Sequence, residues 1–431
     1  GNVITIQAEN ERQAFISNNG SAAQNTFVMQ NCAYWSIVGL RLENADFNDG
    51  TIDQGSVMSI VNSNNLIMKR NLLQKNNRYR NSHLIAARNV DDSLFEENEF
   101  YNWHRHAILL GGDYINFSSG NKVRRNYFNS RTYQDLPGAS TISPPYKSIQ
   151  NPGGDGGIEI YPGANNIVEN NICEDVYECI RVIKSGAANN KLYGNISVNS
   201  GFGYLFTPKA GDPDSSLTDG NTAINQVDVN IGSSNYNGPR VESSNAKNSR
   251  CDNCTIKSST VGAFRATEDT SSGFPLCGGQ CSFFADNSLA FSNTGTGFFV
   301  NAGLMANWLL DFPASFGNGT AFSPAASDPK ITNEVTADPL MGSCLVRIPT
   351  SATRLKGTGK AGADIGANVI FETIDGVLGA IKLWDDTLAG AAKYRFKGCS
   401  TQIAGVNDTA GSSCFDVHSR LNVTDALCAP Y

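Results

Sequence analysis

Three of the four histidines in this chain, His83, His104 and His106, lie close together, with Arg78, Tyr79, Arg80, Asn81 and Arg105 around them. Between Leu66 and Arg131 eleven Lys and Arg face six Asp and Glu, so this stretch is basic inside a chain of net charge −7. Further along stand Asp155, Glu159, Tyr177, Glu178, Arg181 and Lys184. Arginines neutralise and orient a carboxylate in bidentate fashion. A histidine, tyrosine or lysine can remove a proton or return one to a leaving oxygen. Two carboxylates can serve as the acid and base of a hydrolysis. Several together suit calcium, which takes oxygen ligands.

A repeat can bring such distant residues together. An apolar triplet, a polar break, a second apolar patch and an asparagine recur at Asn71, Asn98, Asn126, Asn170 and Asn195, spaced 27, 28, 44 and 25 residues apart. The long spacing brackets a Pro-, Gly- and Ser-rich insertion at 131–156; a smaller one follows at 208–220. A fixed period of this length, built on short alternating runs, signals a β-solenoid and excludes helical repeats. Rungs fall at Phe27-Val28-Met29, Val57-Met58-Ser59-Ile60, Leu84-Ile85-Ala86, Ala107-Ile108-Leu109-Leu110 and Ile158-Glu159-Ile160. They continue at Ile180-Arg181-Val182-Ile183, Tyr204-Leu205-Phe206, Arg240-Val241-Glu242, Ala263-Phe264-Arg265 and Phe298-Phe299-Val300. The recurrent asparagine reads as an amide ladder stacked inside the coil at a bend. A surface-loop role is the plainer alternative in so Asn-rich a chain.

Successive coils stack about 4.8 Å apart. Residues just before each strand then form a column: Asn81 to His83, His104 to His106, Asp155, and Tyr177-Glu178. Alternation points Ile158, Ile160, Ile180 and Val182 inward, leaving Glu159 and Arg181 on the outer face one coil apart. The catalytic candidates are therefore His104, His106, Glu159 and Arg181. Substrate-binding candidates are Arg78, Arg80, His83, Arg105, Tyr177 and Lys184. A calcium ion, if used, would sit at Asp155, Glu159 and Glu178. The competing structural interpretations are a plain Glu159–Arg181 ion pair, worth little on an exposed face, and a solvated turn at His104-Arg105-His106.

The repeat, the Asn-rich turns and Asp364-Ile365-Gly366-Ala367 after Asp338-Pro339-Leu340 resemble secreted bacterial right-handed parallel β-helix proteins, the pectate-lyase-like superfamily. The resemblance covers roughly residues 1–370. It implies an all-β, right-handed parallel β-helix. It also implies an extracellular setting and activity on polysaccharide as lyase, epimerase or hydrolase; surface fibres and tailspikes share the fold. The aspartate motifs of polygalacturonases and the residue patterns of pectate, alginate and chondroitin lyases are absent, so no catalytic residue carries over. With the basic histidine column, a polysaccharide lyase on a uronic-acid glycan is the first expectation. A structural protein stacking head to tail into a filament is the second.

Composition sets further bounds. No run of 18 apolar residues exists, so no membrane span is expected, and an acidic chain argues against a nucleic-acid partner. No signal peptide is visible, and Val3-Ile4-Thr5-Ile6 already reads as strand. There are eleven cysteines. Cys251 and Cys254 with Cys277 and Cys281 fit either a four-thiolate zinc site or disulfides, with Cys254 and Cys277 natural partners one coil apart. Cys399 and Cys414 look like another bridge, whereas Cys173 and Cys179 read as coil-interior residues. This usage favours an oxidising, extracellular location. Residues 1–359 are expected to be the β-helix and 360–431 a small disulfide-containing C-terminal cap or module, since an open solenoid end is a sticky edge.

Overall fold

Two residues make one recurring bend of the first coils. In this computed structural model the short strand Ile67–Lys69 is followed by Arg70 in the left-handed region, φ 55°, then Asn71, then the strand Leu72–Gln74. The same sequence of states recurs at Glu97-Asn98, Arg125-Asn126 and Asn170-Asn171, with φ of 55°, 52° and 54° at the first residue. The left-handed residue reverses the chain; the asparagine after it turns into the coil. Its amide then replaces the ladder bonds that a bend interrupts. Asn98 Oδ1 accepts from Asn71 N (2.9 Å) and Nδ2 (3.1 Å), and Asn98 Nδ2 donates to Met68 O (2.8 Å) and Asn126 Oδ1 (3.0 Å). Asn126 repeats this on Asn171, with both of its nitrogens 3.0 Å from Asn171 Oδ1. The expected ladder therefore exists, with one correction: Asn171, not Asn170, is the rung, because Asn170 takes the left-handed turn position.

The structure describes residues 2–10, 12–18, 25–44, 56–74, 83–101, 103, 105–112, 117–129, 156–174, 176–184, 186–208, 218–230, 240–268, 279–303, 305, 307–325, 327–341, 348–369 and 371–383. The chain is a right-handed parallel β-helix. It divides into two compact units between Ile180 and Arg181.

In the first unit each coil gives one strand to each of three parallel sheets. The first sheet runs from Ile4–Gln7 to Ile167–Glu169 and the second from Phe15–Asn18 to Ile172–Glu174. The third holds Phe27–Gln30, Met58–Asn64, His83–Asp91, His106–Gly111 and Gly156–Tyr161. Equivalent residues stack in register, as in Leu42–Leu73–Phe100–Phe128–Cys173. The Phe100 and Phe128 rings lie 4.8 Å apart and nearly parallel. Each such fully buried side chain contributes about 1.5–3 kcal/mol. A second ladder, which the sequence did not single out, closes the other bend: Ser93 N donates to Asn121 Oδ1, and Asn121 to Asn166 Oδ1.

The second unit repeats the plan. Its third sheet holds Phe202–Thr207, Val241–Ser244, Gly262–Thr267, Thr296–Val300 and Thr320–Ser323. Phe264, Phe298 and Phe322 stack along its core at 4.5 and 5.5 Å. Asn195, expected as a rung, is buried after Gly194 at φ 60°. Asp228 is an anomaly in this core. It pairs in register with Ser197, and a Cβ on Gly203 would overlap its carboxylate. Oδ2 of Asp228, Oη of Tyr204 and Oγ of Ser197 are all buried without a hydrogen-bond partner. Burial pushes the Asp228 carboxyl well above the usual carboxylate range and the Tyr204 phenol well above its own.

Residues 360–368 lie along the side of this unit. Lys360 N donates to Asn287 Oδ1 (2.7 Å), Asn253 Nδ2 donates to Asp364 O (2.8 Å), Ala367 N to Thr255 Oγ1 (2.8 Å) and Asn368 N to Asn225 Oδ1 (2.8 Å). Asn225, Asn253 and Asn287 are left-handed bend residues of successive coils, and the outward side chains of these bends grip this strap. Lys360 Nζ adds ion pairs to Asp286 (2.9 Å) and Asp311 (3.2 Å). An antiparallel hairpin, Phe371–Ile374 with Val377–Lys382, follows. Residues 384–431, with Cys399 and Cys414, lie outside the described residues, as does nearly all of the 131–156 insertion and most of 208–220.

The cysteines depart from expectation. Cys173 is bonded to Cys179 and Cys251 to Cys254, with Cα–Cα distances of 5.5 and 6.3 Å. Both of these bonds are local, across a bend, rather than between coils. The bond consumes the Cys251 and Cys254 thiols, which rules out the four-thiolate zinc site and the Cys254–Cys277 bridge. Cys281 is also disulfide-bonded, and Cys32 is free.

Two predictions follow the core. Asn171→Ala strips the Asn126 nitrogens and Val123 O of their partner and lowers stability in urea by about 3 kcal/mol. Asn170→Gly keeps the left-handed turn and the rung behind it and so costs less than Asn171→Ala; the opposite ranking would place the rung at Asn170. For Asp228, a raised folded-state pKa gives stability that is full below the unfolded value of 3.8 and is lost as pH rises towards the folded one. Asp228→Asn should remove that loss, flattening the melting temperature as pH rises above 3.8.

Candidate functional site

The start of the third-sheet strands in the first unit brings together two of the three predicted histidines, His83 and His106. His83 and His106 are Cα partners in register, as are His106 and Gly156. Register stacking makes the two imidazoles parallel, 5.2 Å between centroids and 9° between planes. Gly156 leaves room for this stack, since a Cβ there would lie 3.0 Å from His106 Cδ2. Its Cβ would also lie 3.6 Å from Glu178 O, so the column His83, His106, Gly156, Glu178 holds one residue per coil.

Strict alternation would separate His106 from Glu159, and the strand is irregular where it matters. The ladder passes from His106↔Gly156 to Ile108↔Ile158, and a Cβ on Gly157 would face Cys173 Sγ and Phe128 of the core. The irregularity brings His106 Nδ1 to 2.8 Å from Glu159 Oε2. His83, His106 and Glu159 are 2%, 0% and 3% exposed, so this is a buried carboxylate–imidazole pair and not a solvated turn. The outer-face position expected of Glu159 is thus covered.

The electrostatics follow from that burial. Desolvation holds His83 well below the usual histidine range, helped by His106, Arg105 and Arg88 and opposed by Glu159. His83 is therefore a neutral imidazole at neutral pH. Arg105 is half-buried, accepts Gly156 N–H on its carbonyl (2.9 Å), and has a buried Nε without an acceptor. No carboxylate pairs with Arg105 among the described residues. Arg88, which the sequence analysis did not single out, crosses Gly112, where a Cβ would meet its side chain at 3.1 Å. Its signal was in the strand pattern: it falls in the strand His83–Asp91, two residues beyond Ala86, the register partner of Leu109.

Chemically, a carboxylate 2.8 Å from Nδ1, close but outside hydrogen-bond alignment, favours a proton on the imidazole by charge. Exclusion of water strengthens that coupling. Of the other candidates, Tyr177 is half-buried and Glu178 buried in the first unit. Arg181, half-buried, and Lys184, buried, belong to the second unit. His104, Arg78, Arg80 and Asp155 lie outside the described residues. Among the described residues no three His, Cys, Asp or Glu side chains gather as a metal site would require. No described helix is long and apolar enough to cross a membrane.

No family model matches the chain, and no curated protein does either. Among solved structures the chain is similar to the catalytic unit of a thermostable GH87 alpha-1,3-glucanase from Streptomyces thermodiastaticus strain HF3-3. Identity is 13% over 78% of this chain and 60% of that one, with a TM-score of 0.43. It is similar to the pectate lyase Pel9A at 10% identity, over 91% of this chain and 81% of that one, TM-score 0.40. It is also similar to PfbA, a surface protein and adhesin of Streptococcus pneumoniae, at 10% identity, 77% and 86% coverage and TM-score 0.39. The chain spans less than two thirds of the glucanase's length. The right-handed parallel β-helix stands on its own three parallel sheets, with no specific enzyme family matched, and its chemistry has to be read from the residues of the third sheet.

Proposed function

We propose that the chain is an extracellular carbohydrate-active enzyme, a lyase that cleaves an acidic, uronic-acid polysaccharide. The observation that carries the reading is His106 Nδ1 at 2.8 Å from Glu159 Oε2, stacked on a neutral His83. Arg105 stands beside that column without a carboxylate partner among the described residues, ready for one from a substrate. In this reading Arg105 and Arg88 receive the uronate carboxylate and acidify the neighbouring C5–H. His106 takes that proton. The electron pair forms a C4–C5 double bond as the C4–O bond breaks, and the leaving oxygen takes a proton from water. With the pair shut from bulk solvent, a polymer reaches it only when this face opens, and the dry setting then favours charge stabilisation. Two described disulfides support an oxidising, extracellular compartment. Calcium at Asp155, Glu159 and Glu178 is a further proposal, and no step depends on it.

A second reading, end-to-end self-association, is favoured by Ile4 and Phe15 at 50% exposure and Val28 at 58% on the first coil. Solution scattering separates the two: a monomer with no growth on concentration removes the filament reading.

The enzyme reading is tested by incubation with alginate, pectate, glucuronan, chondroitin and neutral glycans, each with calcium or with chelator. Absorbance at 232 nm, reporting the new double bond, is expected to rise with at least one acidic polymer. Reducing ends without absorbance would show a hydrolase instead, and silence across the panel would end the enzyme reading. On the active substrate His106→Ala should lower kcat about 10²–10⁴-fold. Glu159→Gln, which removes the buried charge beside the imidazole, should lower kcat with KM nearly unchanged.

A further inference from the structure

The third sheet of the second unit carries a row that the dyad does not use. Glu242, Arg265 and Phe299 are in-register partners on successive strands. Within Gly262–Thr267 every residue but Arg265 is buried, and Phe299 is half-exposed between buried Phe298 and Val300 in Thr296–Val300. Their neighbours Phe264, Ala266, Phe298 and Val300 fill the core, so alternation turns the row outward. The Arg265 guanidinium lies 5.7 Å from the Phe299 ring centroid. Its Nε is buried without an acceptor.

The charges in this row do not balance. Glu242 is the acid one strand from Arg265, yet its Oε2 is 2.8 Å from Arg240 Nε. Arg240 is itself fixed over Phe202 at 3.8 Å. Arg265 makes no ion pair among the described residues. A half-buried guanidinium has lost part of its hydration and is stabilised by an anion. A planar apolar ring beside it offers a face to flat, partly apolar ligands. Together they form an anion fork next to a stacking platform, with Glu242 and Arg240 as a polar rim.

We infer that Arg265 and Phe299 form an acidic-sugar subsite, in which the guanidinium receives a uronate carboxylate and the ring packs against the sugar's C–H face. The inference rests on the reading of the protein as one acting on an acidic glycan, and it adds a binding position on the second unit. Arg265 binds substrate here and takes no part in bond cleavage.

The test is calorimetric titration of the whole protein with tetragalacturonate, with its methyl ester, and with inorganic sulfate. Native protein should bind the tetramer more tightly than the ester. Arg265→Ala should weaken the tetramer about tenfold or more and leave the ester unchanged. Phe299→Ala should weaken both sugars, with circular dichroism confirming the fold of each variant. No binding of the tetramer by native protein, or unchanged binding by Arg265→Ala, overturns the subsite. So does a loss by Arg265→Ala that is seen for sulfate and not for the tetramer. The enzyme reading fails separately. If no polymer is cleaved and Arg265→Ala still loses the tetramer, the subsite stands without the lyase. If cleavage occurs and Arg265→Ala keeps native KM and affinity, the lyase stands without the subsite.

Discussion

Everything in this molecule depends on how the chain turns a corner without leaving backbone groups unpaired. A bend interrupts the parallel ladder, and an unpaired buried N–H or C=O costs about 1–3 kcal/mol. The protein answers with a left-handed residue followed by an inward amide. That amide bonds its own kind one coil above and below. A non-glycine left-handed residue costs about 1–2 kcal/mol, and asparagine, able to bond locally, bears this best. The first unit also accepts Arg70, Glu97 and Arg125 there, so the rung behind the turn outweighs the strain in front of it. With corners closed this way, strands of three residues suffice, and each coil can place one side chain directly above another.

The candidate site is a product of that stacking. Imidazoles 23 positions apart in the chain become parallel neighbours because register leaves them no other place. Glycine then does the spacing: Gly156 under His106 and Gly112 under Arg88 make room where any side chain would intrude. Charge is handled differently on the flank of the first sheet. There Glu96 gathers Lys69, Arg124 and Arg125, which holds its carboxyl below the usual range despite burial. Those cations are engaged by acids, whereas Arg105 and Arg265 pair with none among the described residues. The contrast separates arginines that hold the fold from arginines open to a ligand.

Much of this was legible in the sequence, and the failures have physical causes. The third-sheet rungs were visible because their apolar runs are long enough to show alternation. The other two sheets showed only as the recurring apolar triplet and second patch, because strands such as Leu94–Glu96 and Glu99–Tyr101 are too short to carry a period. The rung at Asn171 was misplaced by one residue because the turn position before it is also asparagine. The second ladder mixes Ser93 with Asn121 and Asn166, which hides it from a search for one residue type. Glu159 was found, but its contact with His106 requires the irregular strand start that a strict period of two denies. The cysteine pairs were misjudged because stacking suggests bonds between coils, while the bends bring nearer partners together within one.

The strap changes what kind of object the second unit is. A plain solenoid is a one-dimensional stack in which each coil feels only its neighbours, so it can peel from an end one layer at a time. Residues 360–368 tie Asn225, Asn253, Asn287 and Asp311, which belong to four successive coils, to a single short segment. Peeling any one of these layers now disturbs the anchor of the others. The segment acts as a splint: it converts neighbour-to-neighbour stability into cooperativity across the block, so that local opening there approaches the free energy of losing all four layers at once.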